Sequence, residues 1–202
     1  ITEPVSKDFS PVFDPKGKYL YFLSCRVFDP VYDKLCFDLN FPKGMRPYLI
    51  TLRKDVLPPF PQKPHGIEDN RNKNEKELEK EREGKQIDID FEEIKERIVP
   101  FPVEEGIYRS MGATENRVFY TMDPIEGTLN KELFEKEPSA NSCIKIFDLK
   151  KLEEAVFLDK VTNFKLSGDG SAMACRVGNQ LRVMSAKREP KEELPKEKEP
   201  GR

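Results

Sequence analysis

The chain has 202 residues, of which 37% are hydrophobic and 36% charged, with a formal net charge of −2. Interleaved acids and bases give no electrostatic pull toward nucleic acid or an anionic membrane, and no apolar run approaches the ~20 residues of a membrane-spanning helix. The charge is concentrated in two runs, Glu68 to Lys85 and Lys187 to Arg202, and the rest has the composition of an ordinary globular domain.

The first element is a hairpin, Ser10 to Ser24, folded about Asp14-Pro15-Lys16-Gly17. Proline presets the turn's φ, aspartate hydrogen-bonds the turn backbone, and glycine accepts positive φ. Its outgoing strand, Tyr19 to Leu23, is dense in aromatic and aliphatic residues, as a strand packed on both faces must be. A long connector follows, Phe28 to Leu39, carrying Asp29, Asp33 and Asp38. These carboxylates lack the dense ligand spacing of a calcium loop and read as turn and hydrogen-bonding residues in a loop between strands. The next strand is Arg46 to Leu52, then a stiff Pro58-to-Pro64 spacer, the charged insertion at 62–86, and a strand over Glu96 to Phe101.

The hairpin pattern returns twice. Setting Gly170 on Gly17 places Leu166 on Phe13 and Ala174 on Tyr21, and a weaker copy turns at Thr114-Glu115-Asn116. Further strands follow each copy: Ser142 to Leu149 and Ala155 to Leu158 after the middle one, and Asn179 to Ser185 after the last. Repeated units of about four short antiparallel strands predict an all-β fold, a β-propeller fragment of about three four-stranded antiparallel blades. The expected blades cover about 1–104, 105–160 and 161–186, with 187–202 a Pro-, Lys- and Glu-rich linker to a downstream domain. An ordinary sandwich of hairpins also shows regularly spaced strands, but repetition in one relative place argues against it. Three blades do not close a ring, so the stable unit is expected to extend further, chiefly on the N-terminal side.

No chemistry-bearing constellation assembles from the residue pattern. His65, the sole histidine, lies between Pro64 and Gly66 at the edge of the charged insertion, where a relay would lack a rigid base. Gly168-Asp169-Gly170 is a turn rather than a phosphate loop, since no Lys-Ser/Thr pair opens a helix after it. Cys25, Cys36, Cys143 and Cys175 show no metal-ligand spacing and read as free, mostly buried thiols, which favours a reducing, cytoplasmic setting. Catalytic, cofactor-binding and metal residues are all expected to be absent. Opening on Ile1 without a basic-then-apolar leader fits an internal or processed segment.

From Ser10 through Lys54 the residues resemble propeller blades of the tricorn protease family. The distinguishing part is Ser24-Cys25-Arg26-Val27-Phe28-Asp29-Pro30-Val31-Tyr32-Asp33, followed by Phe37 to Tyr48 with Phe41-Pro42-Lys43-Gly44. Ile87-Asp88-Ile89-Asp90 and Arg97 to Val103 are similar to the family's outer-strand phrasing, and Glu199-Pro200-Gly201-Arg202 to its handover to the next domain. The resemblance implies a cytosolic serine peptidase with two propellers, a helical bundle, a PDZ domain and a catalytic domain. This chain would form the last blades of the larger propeller. The catalytic Ser and His of such enzymes lie downstream, so none can be carried onto this sequence. The implied role is a non-catalytic segment that gates or guides oligopeptide substrates to that active site. Its implied partners are the remaining blades and catalytic domains, in a homo-oligomer, with neither nucleic acid nor membrane. The alternative is a TolB-like propeller acting as a protein-interaction scaffold with no attached enzyme.

Overall fold

The computed structural model describes residues 6–35, 38–41, 43–60, 87–126 and 140–188. His65, Cys36, the charged insertion and the tail beyond Arg188 lie outside these. The first sheet is built from β1 (Lys7–Phe13), β2 (Tyr19–Cys25), β5 (Arg46–Thr51) and β6 (Ile98–Pro100), antiparallel in that order. Between β2 and β5 a separate two-stranded arm is formed by β3 (Val31–Asp33) and β4 (Asp38–Asn40). The second sheet runs β7 (Ile107–Ala113), β8 (Arg117–Asp123), β9 (Ser142–Asp148), β10 (Glu153–Val161). The third contains β11 (Asn163–Leu166), β12 (Ala172–Val177) and β13 (Gln180–Ser185) among the described residues.

The sheets stack because their central strands are apolar on both sides. Successive side chains of a strand point to opposite faces. Thus Val118 and Tyr120 of β8 join Tyr21, Leu23 and Leu49 in the core between the first two sheets, whereas Phe119 joins Phe164, Met173 and Cys175 in the core between the second and third. In β2 the same alternation sends Phe22 the other way, onto Tyr48, Ile50 and Ile94. The 3₁₀ turn Ile94–Arg97 closes that side of the first sheet, with Ile89 and Ile98 packed against it. An aromatic group made of Phe60, Phe101 and Phe147, edge to face at 4.8–5.5 Å, fills the outer part of the first core.

The two glycine turns are the same object. Gly17 and Gly170 both sit at φ 66°, and their amides donate to the carbonyls of Asp14 and Ser167 at 2.8 and 3.0 Å. Their strands also pair in one register, Phe13 opposite Leu20 and Leu166 opposite Met173. Even the exits correspond: Leu52 donates to the Lys18 carbonyl and Ala186 to that of Ser171, and both side chains are buried. The middle hairpin is shorter. Thr114 pairs directly with Arg117 across Glu115 and Asn116, its amide donating to the Arg117 carbonyl at 2.8 Å.

Two expectations need correction in detail. The connector carrying Asp29, Asp33 and Asp38 is not a plain loop, since Val31-Tyr32-Asp33 and Asp38-Leu39-Asn40 pair as β3 and β4, with Asp33 opposite Asp38 in register. Its aspartates drew attention to turn chemistry, yet the β-forming residues between them decide the local structure. Ile87 to Asp90, read as part of an outer strand, forms no strand; the outer strand begins at Ile98. Asp90 instead ties this stretch to the end of β5, its amide donating to the Leu52 carbonyl and its carboxylate accepting from the Lys54 amide, both at 2.9 Å.

Candidate functional site

Each sheet places its first strand beside the first strand of its neighbour, so β7 lies between β1 and β11 and the sheets fan outward from this line. That line is the axis side of the fan. A repeated polar position stitches it together. Ser10, Ser110 and Asn163 each stand four residues before the first residue of their hairpin turn (Asp14, Thr114, Ser167). The Ser10 hydroxyl oxygen accepts the Met111 amide at 3.2 Å, and Ser110 Oγ donates to Asn163 Oδ1 at 2.7 Å. Both contacts cross from one sheet to the next.

Bulges make this reach possible. The β1–β2 register shifts between Phe9 and Val12, with Ser10 at φ 56°, and the β7–β8 register shifts between Tyr108 and Met111. An extra residue re-aims the side chain out of the ordinary pleat. The sequence carries a signal for the stitch, the fixed offset from each turn, but no single residue type marks it, since serine fills the position in two hairpins and asparagine in the third.

The connections between β2 and β5 and between β8 and β9 start from the strand ends opposite the β1–β2 and β7–β8 turns. Each is anchored at its root by a charged group. At the first, Arg26 Nη2 donates to Asp8 Oδ2 at 2.9 Å and its Nε to Ser24 Oγ at 2.8 Å, while Ser24 donates to Asp8. The Arg26 guanidinium also lies 5.6 Å from the centres of the Phe22 and Tyr48 rings. At the second, Asp123 accepts from Arg109 and from Ser142 Oγ, the latter at 2.5 Å. Arg46 pairs with Glu105 beside the first root. These hydrogen-bonded ion pairs hold strand ends rather than aim a proton donor at an open site.

The remaining titratable groups point the same way. Cys175 is fully buried and its thiol is pushed up to about 11, and burial also raises Cys143, so neither supplies a thiolate near neutral pH. Cys25, Cys143 and Cys175 are free thiols. Tyr120 donates to Glu154 Oε1 at 2.6 Å, and Lys145 donates to Glu154 Oε2 at 2.7 Å. Burial first, then the Glu154 charge, drives the Tyr120 phenol far above its usual range, so it remains a donor. Asp169 lies in the third hairpin turn and accepts from Ser167 Oγ at 2.5 Å and the Ser171 amide at 3.1 Å, which lowers its pKa. Its place is a turn, as its sequence context suggests. Asp29 is exposed just before β3; Asp33 and Asp38 are paired through their backbones. Among the described residues no group of three or more His, Cys, Asp or Glu is placed to hold a metal ion, and no helix is long and apolar enough to cross a membrane.

The comparisons with known proteins agree with this architecture. Residues 1–187 match the family model described as the tricorn protease second beta propeller domain. The chain is 38% identical over 183 residues to "Tricorn protease homolog 1" of Streptomyces coelicolor, covering 90% of this chain and 17% of that protein. It is 34% identical over 191 residues to "Tricorn protease homolog" of Saccharolobus solfataricus, covering 94% of this chain and 16% of that one. Among solved structures, the "Crystal structure of the tricorn protease" superposes with a TM-score of 0.66 at 19% identity, over 92% of this chain and 18% of that one, which supports the shared fold. The chain thus spans about a sixth of the length of the curated relatives it matches. With a matching family model over nearly all its length and the fan of antiparallel sheets to go with it, the chain belongs to the tricorn protease family, as a segment of the second β-propeller domain.

Proposed function

We propose that the chain is a non-catalytic propeller segment of a tricorn-like serine peptidase, and that it gates or guides short peptides toward an active site in downstream domains. The observation that carries this reading is the axis side: three first strands run side by side, stitched through Ser10, Ser110 and Asn163 into one continuous wall. A wall tied across its sheets keeps a fixed width, and fixed width is what lets an opening discriminate extended peptides from folded protein. Lys7, Pro11, Arg109 and Lys165 are exposed along these strands, so side chains there are available to a passing chain. A homo-oligomer in the cytoplasm, with a linker beyond the third blade over 187–202, belongs to the same reading. It is supported by the family and by the free thiols.

The test uses the full-length polypeptide and peptides of increasing length. Replacing Pro11 and Lys165 with tryptophan should lower kcat/KM for the longer peptides by about tenfold, equivalent to ~1.4 kcal/mol of added barrier, with the shortest little changed. Labelling of the active-site serine by a small fluorophosphonate should stay as in wild type. An equal effect on every peptide length, or none, would remove the gating role.

A further inference from the structure

We propose that Arg109 is a specificity residue of the axis side, reading carboxylate groups of peptides with the two amino groups of its guanidinium. This rests on the passage of peptides proposed above and adds the chemistry those peptides carry. β7 is the first strand of the sheet that has a neighbour on each side, through β1 and β11. Every other residue from Ile107 to Ala113 is buried or half-buried, whereas the Arg109 side chain is 66% exposed. With both flanks of its sheet covered and β8 along its other edge, that exposure is toward the axis side. A bulge sets the position: the β7–β8 register shifts between Tyr108 and Met111, so that Arg109 and Ser110 together stand opposite Thr121.

The guanidinium is held in place before any ligand arrives. Its Nε donates to Asp123, whose side chain is 7% exposed and which also accepts from Ser142 Oγ. That contact uses one donor. Among the described residues Nη1 and Nη2 donate to no other group. Arg26, at the root of the other connection, differs: its Nε is taken by Ser24 and its Nη2 by Asp8. Two terminal nitrogens in one plane match the two oxygens of a carboxylate, and a side chain already fixed at Nε loses little freedom in binding one. The charge of the wall has the matching sign. Lys7, Arg109 and Lys165 are the exposed charged residues of the three first strands, and the one acid on those strands, Asp8, is tied to Arg26. A carboxylate near Arg109 therefore meets attraction along these strands and no exposed acid.

The experiment measures fluorescence anisotropy of peptides binding to the full-length polypeptide after a small fluorophosphonate has blocked turnover. Four peptides of one length carry a neutral fluorophore: glutamate or glutamine at the centre, each with a free or an amidated C-terminus. Wild type should bind a carboxylate-bearing peptide about tenfold more tightly than its neutral counterpart. A ratio between glutamate and glutamine assigns the side chain as the source, and one between free and amidated ends assigns the C-terminus. Arg109→Gln alone leaves Asp123 buried without its cation, so the main variant is Arg109→Gln with Asp123→Asn, which keeps a neutral hydrogen-bonding pair; thermal unfolding checks that it folds. In it the ratio should fall to about one, while Lys150→Gln, an exposed cation in the β9–β10 turn, should keep the wild-type ratio. Equal binding of all four peptides to wild type, no binding of any, or a ratio that survives in the double variant would overturn the proposal. Because peptide length is constant here, a flat length profile with this ratio intact removes gating alone, and a lost ratio with the length profile intact removes the Arg109 subsite alone.

Discussion

Ser110 donates its hydroxyl hydrogen to Asn163 Oδ1 at 2.7 Å, joining the first strands of the second and third sheets at equivalent positions of the repeat. The Asn163 oxygen also accepts the Phe164 amide at 2.7 Å, so one acceptor serves both its own strand and its neighbour. A net hydrogen bond of this kind is worth about 1 kcal/mol. Ser110→Ala and Asn163→Ala should each destabilise the junction, and the double variant should cost less than the sum of the two. A double-mutant cycle by urea titration, with hydrogen exchange read in β7 and β11, measures the coupling at roughly 0.5–1.5 kcal/mol. Strict additivity would mean that the contact contributes nothing.

The turn glycines separate conformational from steric demands. Gly17 and Gly170 both require positive φ, and a Cβ would lie 3.2 Å from Ile87 Cγ1 in the first case and 3.1 Å from Thr114 Cγ2 in the second. Gly17→Ala and Gly170→Ala should each cost about 1–2 kcal/mol, from left-handed strain together with the close approach. Gly168→Ala is the internal control, because nothing lies within 4 Å of its Cβ position. It should be neutral or slightly stabilising in the same thermal unfolding series.

The aromatic group under the outer strands should be the most sensitive apolar site. Phe101 and Phe147 are buried, edge to face at 5.3 Å, and both touch Phe60. Phe147→Ala should cost about 3–5 kcal/mol by cavity formation, with Phe147→Leu costing clearly less. Chemical denaturation resolves the two.

How much of this was legible before the structure depends on what each residue must satisfy. Gly17 and Gly170 announce themselves because few other residues adopt their backbone conformation, and the strands around them follow in register. The core follows too, since Val118-Phe119-Tyr120 alternates between two apolar environments in a way that strand geometry makes explicit. The β3–β4 pairing was hidden, because three strand residues flanked by aspartates read as turn chemistry. The stitch was hidden for another reason. Ser10 reaches its neighbour through a bulge, and a bulge shifts register without leaving a residue-type signature.

Asp14 gives a pH dependence with a defined sign. Burial pushes its carboxyl above the usual 3.8, against the pull of the Lys16 and Lys18 amides that it accepts, both at 3.2 Å. A carboxyl raised by folding contributes stability that is complete below its unfolded value and is lost as pH climbs through the raised value. Stability of the first hairpin should therefore decline upward from about pH 4. Asp14→Asn keeps an oxygen for the two amides and removes the titration, so its stability should change less over this range. Thermal unfolding across pH 4–7, read in β1 and β2, would refute this if both proteins show the same slope.

Thiol reactivity checks the burial of the second core. With its thiol at about 11 and no exposure, Cys175 should resist iodoacetamide at pH 8 in the native state and react on unfolding. Among the described cysteines, Cys25, which is partly exposed, should be labelled before Cys175, and peptide mapping of alkylated protein gives the order.

The cores lie between sheets rather than within them, and the two junctions differ in kind. The first brings together Tyr21, Phe60, Phe101, Tyr108, Tyr120 and Phe147; the second mixes Phe119, Phe157 and Phe164 with Ile144, Ile146, Leu158, Val161 and Met173. Sheets that share one hairpin register are thus non-interchangeable neighbours. Exchanging two of them would set a seam of tyrosine and phenylalanine rings against a more aliphatic one and leave both mismatched in volume. The order of the sheets is written into their shared seams, so residues added to the connections leave it untouched whereas an exchange of whole sheets does not.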